Sequence, residues 1–242
     1  MREYFKREVD SQSAFYEVNM SAGEFKQGNP WLFSVFIKID DLTTTKEGYE
    51  EFLETKESLI IALEYEGTVK FVGSRSVDGW SELYFYAHNA KELNNTVTAM
   101  LKETGYIYES NVVRDNKWNL FETQLFPTEL EQHNIQSQKI IFLLEEEGDD
   151  ISISRDVEHY FSFTTPTQKN RFINTLELDG FSFKDDLSSD EFEHGVAFVK
   201  NHTVDSDTVG KIVSELYDAV KKEKGYYEGW STTLIVDEEA IE

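Results

Sequence analysis

Lys221-Lys222-Glu223-Lys224-Gly225-Tyr226-Tyr227-Glu228-Gly229-Trp230 is the stretch that decides how this chain is read. Lysines in the last turn of a helix oppose the negative end of its dipole, and Gly225 is suited to the left-handed conformation that ends one. Beyond it the residues predict a strand, with Tyr226, Glu228, Trp230, Thr232 and Leu234 on one face and Tyr227, Gly229, Ser231 and Thr233 on the other. A comparable helix-to-strand junction stands earlier, at Lys102-Glu103-Thr104-Gly105-Tyr106-Ile107-Tyr108-Glu109. The chain closes the same kind of unit twice. Its 242 residues therefore divide into two domains, 1–126 and 127–242, each long enough for its own core.

Upstream of that junction, residues 205–224 predict the best helix in the chain, with Val209, Ile212, Val213, Leu216, Tyr217 and Val220 on one stripe. Strands are expected at 192–202 and 181–184. Before them, Thr165, Pro166 and Gln168 open a helix that buries Phe172, Ile173 and Leu176 and stops at Gly180. A strand over 156–163 puts Val157, His159, Phe161 and Phe163 together. A further helix runs from about Leu130 to Leu144, and Glu145-Glu146-Glu147 opposes its dipole, so its last turn is expected to fray. Residues 119–127 read as the join between domains.

In the first half, strands are expected at 13–20, 31–39, 69–77, 80–87 and 106–113, with Asp78-Gly79 as a tight hairpin turn. One helix buries Tyr49, Phe52, Leu53, Leu59, Ile60 and Leu63, and ends at Gly67. Another opens at Asn89 and buries Leu93, Val97, Met100 and Leu101. The halves read ββαββαβ and α followed by βαββαβ. The fold class is α+β: two tandem ferredoxin-like (βαββαβ) sandwiches with antiparallel sheets.

The formal net charge is −24, unevenly spread. Residues 1–126 hold 13 Lys and Arg against 21 Asp and Glu, and residues 127–242 hold 10 against 26, a net −8 and −16. Such a field repels phosphate backbones and anionic lipid and attracts basic surfaces, which points to a basic protein partner, no direct nucleic acid and no membrane. The competing reading is that the charge only maintains solubility. The absence of cysteine removes disulfides and thiolate sites. The first residues lack the apolar core of a signal peptide, and a cytoplasmic location is expected.

Motifs for catalysis or phosphate binding are missing: there is no glycine-rich dinucleotide loop, no P-loop, no Gly-x-Ser-x-Gly and no histidine pair at helical metal spacing. No catalytic, cofactor-binding or metal-ligating residue is expected. His159 shares a strand face with Val157, Phe161 and Phe163. It reads as a hydrogen-bonded core residue before a ligand, and as the one possible buried polar site. The acidic pairs Asp149-Asp150 and Asp185-Asp186 lack the glycine turn and distal glutamate of a calcium loop. His194-Gly195-Val196-Ala197-Phe198-Val199-Lys200 is similar to a strand of RNA-recognition motifs, but Val196 stands where a base-stacking aromatic is needed and the half around it is strongly acidic.

Ile140-Ile141 to Leu144 with Gly148-Asp149-Asp150, Val157-Glu158-His159, and Tyr227-Glu228-Gly229-Trp230 resemble the regulator of ribonuclease E activity B (RraB) family, in the same element order. The first half resembles the domain of unknown function 695 family in order and closing strand. The family's acidic tail is represented by Asp237-Glu238-Glu239-Ala240-Ile241-Glu242. The resemblance implies a non-catalytic, acidic protein that binds a ribonuclease and lowers its activity. Tyr227, Glu228, Trp230, Asp149 and Asp150 are then the candidate partner-binding residues. Sheet packing competes for Tyr227 and is favoured for Trp230. Two other classes stay open: an immunity-type protein that neutralises a toxic nuclease, and a small-molecule binder or weak enzyme built around His159.

Overall fold

In a computed structural model, described for residues 1–39, 45–178, 180–188 and 194–236, the chain forms two compact units, Met1–Pro127 and Thr128–Glu242. The tail at 237–242 and Phe192, the expected start of a strand, lie outside the described residues.

The first unit contains strands β1 (Arg2–Val9), β2 (Gln12–Asn19), β3 (Trp31–Lys38), β4 (Val69–Val77), β5 (Trp80–Ala87) and β6 (Tyr108–Arg114). Its helices are α1 (Lys46–Glu64) and α2 (Leu93–Leu101). The strands form one antiparallel sheet in the order β1-β2-β4-β5-β3-β6. Asp78 and Gly79 both have positive φ, as the β4–β5 hairpin turn requires. Strand β1 is an addition to the expected order. It is an edge strand in which Arg2, Lys6, Arg7 and Glu8 interrupt any apolar alternation, a composition that blocks further pairing while hiding the strand from a periodicity reading.

Both faces of this sheet are covered. Phe33, Val35, Ile37, Phe71, Leu83 and Phe85 pack with α1 and α2. Tyr16, Tyr84 and Tyr86 on the other face pack with Trp118, Phe121 and Leu125. The segment expected as a join is therefore a wide helical turn, Leu120–Leu125, belonging to the first core. Trp118 stacks on Tyr86 at 3.9 Å and donates to the Asn29 carbonyl at 2.8 Å. Tyr49, Leu53 and Met100, expected on buried helix faces, are exposed. Asn89 does not cap α2: its side chain accepts from the Lys91 N–H, and Glu92 takes the cap position with φ +69°.

The second unit contains helices α3 (Glu129–Glu146), α4 (Pro166–Leu178) and α5 (Ser206–Lys222). Strands β7 (Arg155–Phe163), β8 (Ser182–Leu187), β9 (His194–His202) and β10 (Tyr226–Thr232) form an antiparallel sheet in the order β10-β7-β9-β8. Phe161, Phe172, Phe198, Val213 and Leu216 lie at the centre of its core. A reciprocal capping box, Thr128 with Glu131, opens α3. Its acidic end does not fray. Gly148, at φ +80°, donates to the Glu145 carbonyl at 3.0 Å, and the Asp149 N–H donates to the Leu144 carbonyl at 2.9 Å, a left-handed glycine closure that satisfies the last carbonyls.

Candidate functional site

The junction from α5 into β10 departs from its reading in two places. Lys224, at φ +56°, takes the left-handed conformation, and Gly225 does not. A glycine is needed at 225 for a different reason: a Cβ there would lie 2.3 Å from Cε1 of Phe163 and 2.7 Å from Cγ2 of Val220. At the earlier junction Gly105 does take the left-handed conformation, at φ +82°.

The second departure is a bulge. Tyr227 pairs with Phe161, Gly229 with Tyr160 and Trp230 with His159, leaving Glu228 as the extra residue, and Gly229 sits at φ +125°. The bulge resets the alternation, so Tyr227 and Trp230 both turn inward, 2% and 5% exposed, while Glu228 stays outside. Trp230 donates from Nε1 to the buried Ser137 hydroxyl of α3 at 2.9 Å. Neither aromatic offers surface to a partner. Their role is to lock β10 beneath α3, and Glu228 is carried outward next to the Ser162 hydroxyl that donates to it.

Asp149 is likewise internal. Arg155 Nη1 donates to its Oδ2 at 2.6 Å, with the two side chains 3% and 0% exposed. The Ile235 N–H donates to the same oxygen at 2.7 Å, and Arg155 also reaches the carbonyls of Ile153, Asp150 and Thr233. This buried pair fastens the end of α3 to the start of β7 and to the segment after β10. Asp150 is exposed, its carboxylate accepting from the N–H and hydroxyl of Ser152.

His159 is fully buried with both ring nitrogens engaged. His202 Nδ1 lies 2.7 Å from the Thr203 carbonyl oxygen, which only accepts, so Nδ1 holds the proton and Nε2 accepts. His159 Nε2, 3.2 Å away, must then donate, and its Nδ1 accepts from the Tyr227 hydroxyl at 2.9 Å. Burial, then the neighbouring His202 and Lys200, pull His159 down to about 3 from the ordinary 6.5. Burial also lowers His202 and His133 and raises the Tyr227 hydroxyl. A chain of neutral groups with a fixed direction of donation stabilises the core and leaves no nitrogen for a ligand.

One constellation escaped the sequence because its members are far apart. Glu17 is salt-bridged to Lys56 at 2.6 Å and to Arg2 at 3.0 Å, and Lys56 donates to the Ser74 hydroxyl at 2.8 Å. Burial raises the Glu17 carboxyl, but Lys56 and Arg2 outweigh it and hold the group below its ordinary range. A lysine committed to that carboxylate donates to Ser74 instead of taking its proton, and the serine is only 2% exposed. The arrangement is a buried ionic tie between β2, β4 and α1, without the access acyl transfer needs. Among the described residues, no group of three or more His, Asp or Glu could hold a metal ion, and no helix is long and apolar enough to cross a membrane.

What the second unit presents outward is predominantly negative charge, with Lys222 and Lys224 among the few exposed cations. Six of its ten cations are spent on internal carboxylates: Arg155 on Asp149, Lys169 on Asp186, Arg171 on Glu223, Lys184 on Glu158, Lys211 on Glu215 and Lys221 on Glu129. Glu145, Glu146, Glu147, Asp150, Asp207 and Asp218 are exposed.

Residues 3–126, just over half the chain, match the Family of unknown function (DUF695). The chain belongs to that family. Residues 134–232 match Regulator of ribonuclease activity B, so this DUF695 member carries an RraB region behind its first unit, in the order the motifs suggested. The RraB match implies a protein-level regulator of ribonuclease activity. No curated protein matches the chain.

Proposed function

We propose that this DUF695–RraB chain is a non-catalytic cytoplasmic regulator with two working domains, 1–126 and 127–242. The second covers a basic RNA-binding surface of a ribonuclease and lowers its activity. The observation that carries this reading is the pairing of six of the second unit's ten cations with its own carboxylates, which leaves its outward charge predominantly negative. Among the candidate contacts, Glu228 and Asp150 stand at the surface, whereas Tyr227, Trp230 and Asp149 shape it from within. Each domain is read as a ferredoxin-like sandwich. The strand orders β6-β3-β5-β4 and β10-β7-β9-β8 support that, with the β1–β2 hairpin extending the first sheet.

The experiment is affinity capture on the full chain from its native cell at low and high salt, with the captured proteins identified and assayed on RNA. A ribonuclease retained at low salt and released by high salt supports the proposal. Retention indifferent to salt, or a captured toxin in place of a housekeeping ribonuclease, counts against it.

A further inference from the structure

The solvent-facing side of α3 carries an apolar pair at the end where charge is concentrated. Phe142 is 59% exposed and Leu143 61%. Neighbours on a helix lie about 100° apart, so the two flank the line through Lys139 and Glu146. That side is turned away from Ser137 and Ile141, which are buried, and from Leu144, which packs on the second core. Glu145, Glu146 and Glu147 follow, all exposed, and Asp150 and Ile153 are exposed in the turn beyond.

This arrangement works against the helix that bears it. The last turn has no basic residue, so its carboxylates meet the negative end of the dipole and one another. The helix holds because its end is fastened elsewhere, by the left-handed Gly148 and by the buried Asp149–Arg155 pair. Folding explains the fastening. It does not explain the exposed Phe142, Leu143 and carboxylates placed on top of it.

We infer that this end of α3 docks a basic amphipathic segment of a partner protein. Its apolar side chains cover Phe142 and Leu143, and its lysines or arginines meet Glu145, Glu146, Glu147 and Asp150. The inference rests on the reading of the second unit as an acidic regulator and adds the place and form of the contact. Charge selects the occupant. A second copy of this chain brings carboxylates to carboxylates, residues 1–126 are themselves net −8, and anionic lipid is repelled. A cationic amphipathic segment neutralises the unopposed helix end and removes both apolar side chains from water in one contact.

The test uses the full chain and two synthetic peptides of one Lys/Leu composition, one with leucines on a single helical face and one shuffled so that no such face forms. Binding is read by fluorescence anisotropy at low and moderate salt. The amphipathic peptide is expected to bind about tenfold more tightly than the shuffled one. The double variant Phe142→Ser/Leu143→Ser should erase that preference. Glu145→Gln/Glu146→Gln/Glu147→Gln should weaken binding and flatten its salt dependence, and Asp156→Asn/Glu158→Gln on the sheet should change neither. All seven side chains are at least partly exposed, and circular dichroism checks that each variant folds.

Equal binding of the two peptides, or sheet variants as damaging as those on α3, overturns this site while leaving the acidic regulator intact. So does a full chain that still retains a ribonuclease in a salt-sensitive way yet binds neither peptide. Failure of both the peptides and the salt-sensitive capture removes the site and the regulator together.

Discussion

Acidification from pH 7 to pH 5 should destabilise the second unit through its buried histidines. His159 is held at about 3 in the folded chain, chiefly by burial, against an ordinary value of 6.5. A group whose folded value is depressed binds more protons unfolded than folded. Its neutral form supports the fold fully above 6.5, and that support is lost as pH falls from 6.5 toward 3. Each unit of pH inside the window costs about 1.4 kcal/mol, which between pH 7 and pH 5 amounts to about 2 kcal/mol from His159 alone. His202, donating to Thr203 with Lys200 and Asp205 nearby, and His133, facing Glu129, Glu228 and Lys221, are lowered too and add in the same direction. The carboxylates held low, such as Glu17 and Glu129, remain ionised through this window and contribute only below it.

His159→Gln tests the magnitude, because an amide can still accept from Tyr227 and donate to His202 without taking up a proton. Urea denaturation at pH 7, 6 and 5, followed by tryptophan fluorescence, should show about 2 kcal/mol less loss in the variant than in the parent chain. An identical loss in both would refute the neutral, wired state of His159.

Arg155→Ala should cost about 3–5 kcal/mol, since it strands the Asp149 carboxylate inside the second unit; thermal melts read it directly. Gly225→Ala should cost about 1–3 kcal/mol by driving a methyl into Phe163 and Val220. Lys224→Gly next to it should be neutral or stabilising by up to about 1 kcal/mol, because it relieves a positive φ, and paired urea curves show the opposite signs. Trp230→Phe should lose about 1–3 kcal/mol by leaving the Ser137 hydroxyl unpaired, and Ser137→Ala in the same background should recover part of it.

Local chemistry made most elements legible. The alternation from Trp31, the Asp78-Gly79 turn and the stripe of α5 are each written in consecutive residues, and the structure follows them. What escaped is set by partners distant in the chain. A strict alternation cannot foresee a bulge, so the inward turn of both Tyr227 and Trp230 was invisible until β10 was laid against β7. Gly225 was readable as special, but the reason lies in a phenylalanine more than sixty residues earlier. The burial of Asp149 depends on Arg155 and on the backbone of Ile235, and the silence of His159 depends on His202. Strand β1 escaped because the charge that protects a sheet edge also erases the apolar pattern.

The most direct measurement is the rate at which the native cell's purified endoribonuclease cleaves RNA as the full chain is added, at two ionic strengths. The rate should fall with added chain, and the inhibition should weaken as salt rises. A cleavage rate that ignores the chain at every concentration, or an inhibition that salt leaves untouched, would contradict an acidic surface acting on a basic one.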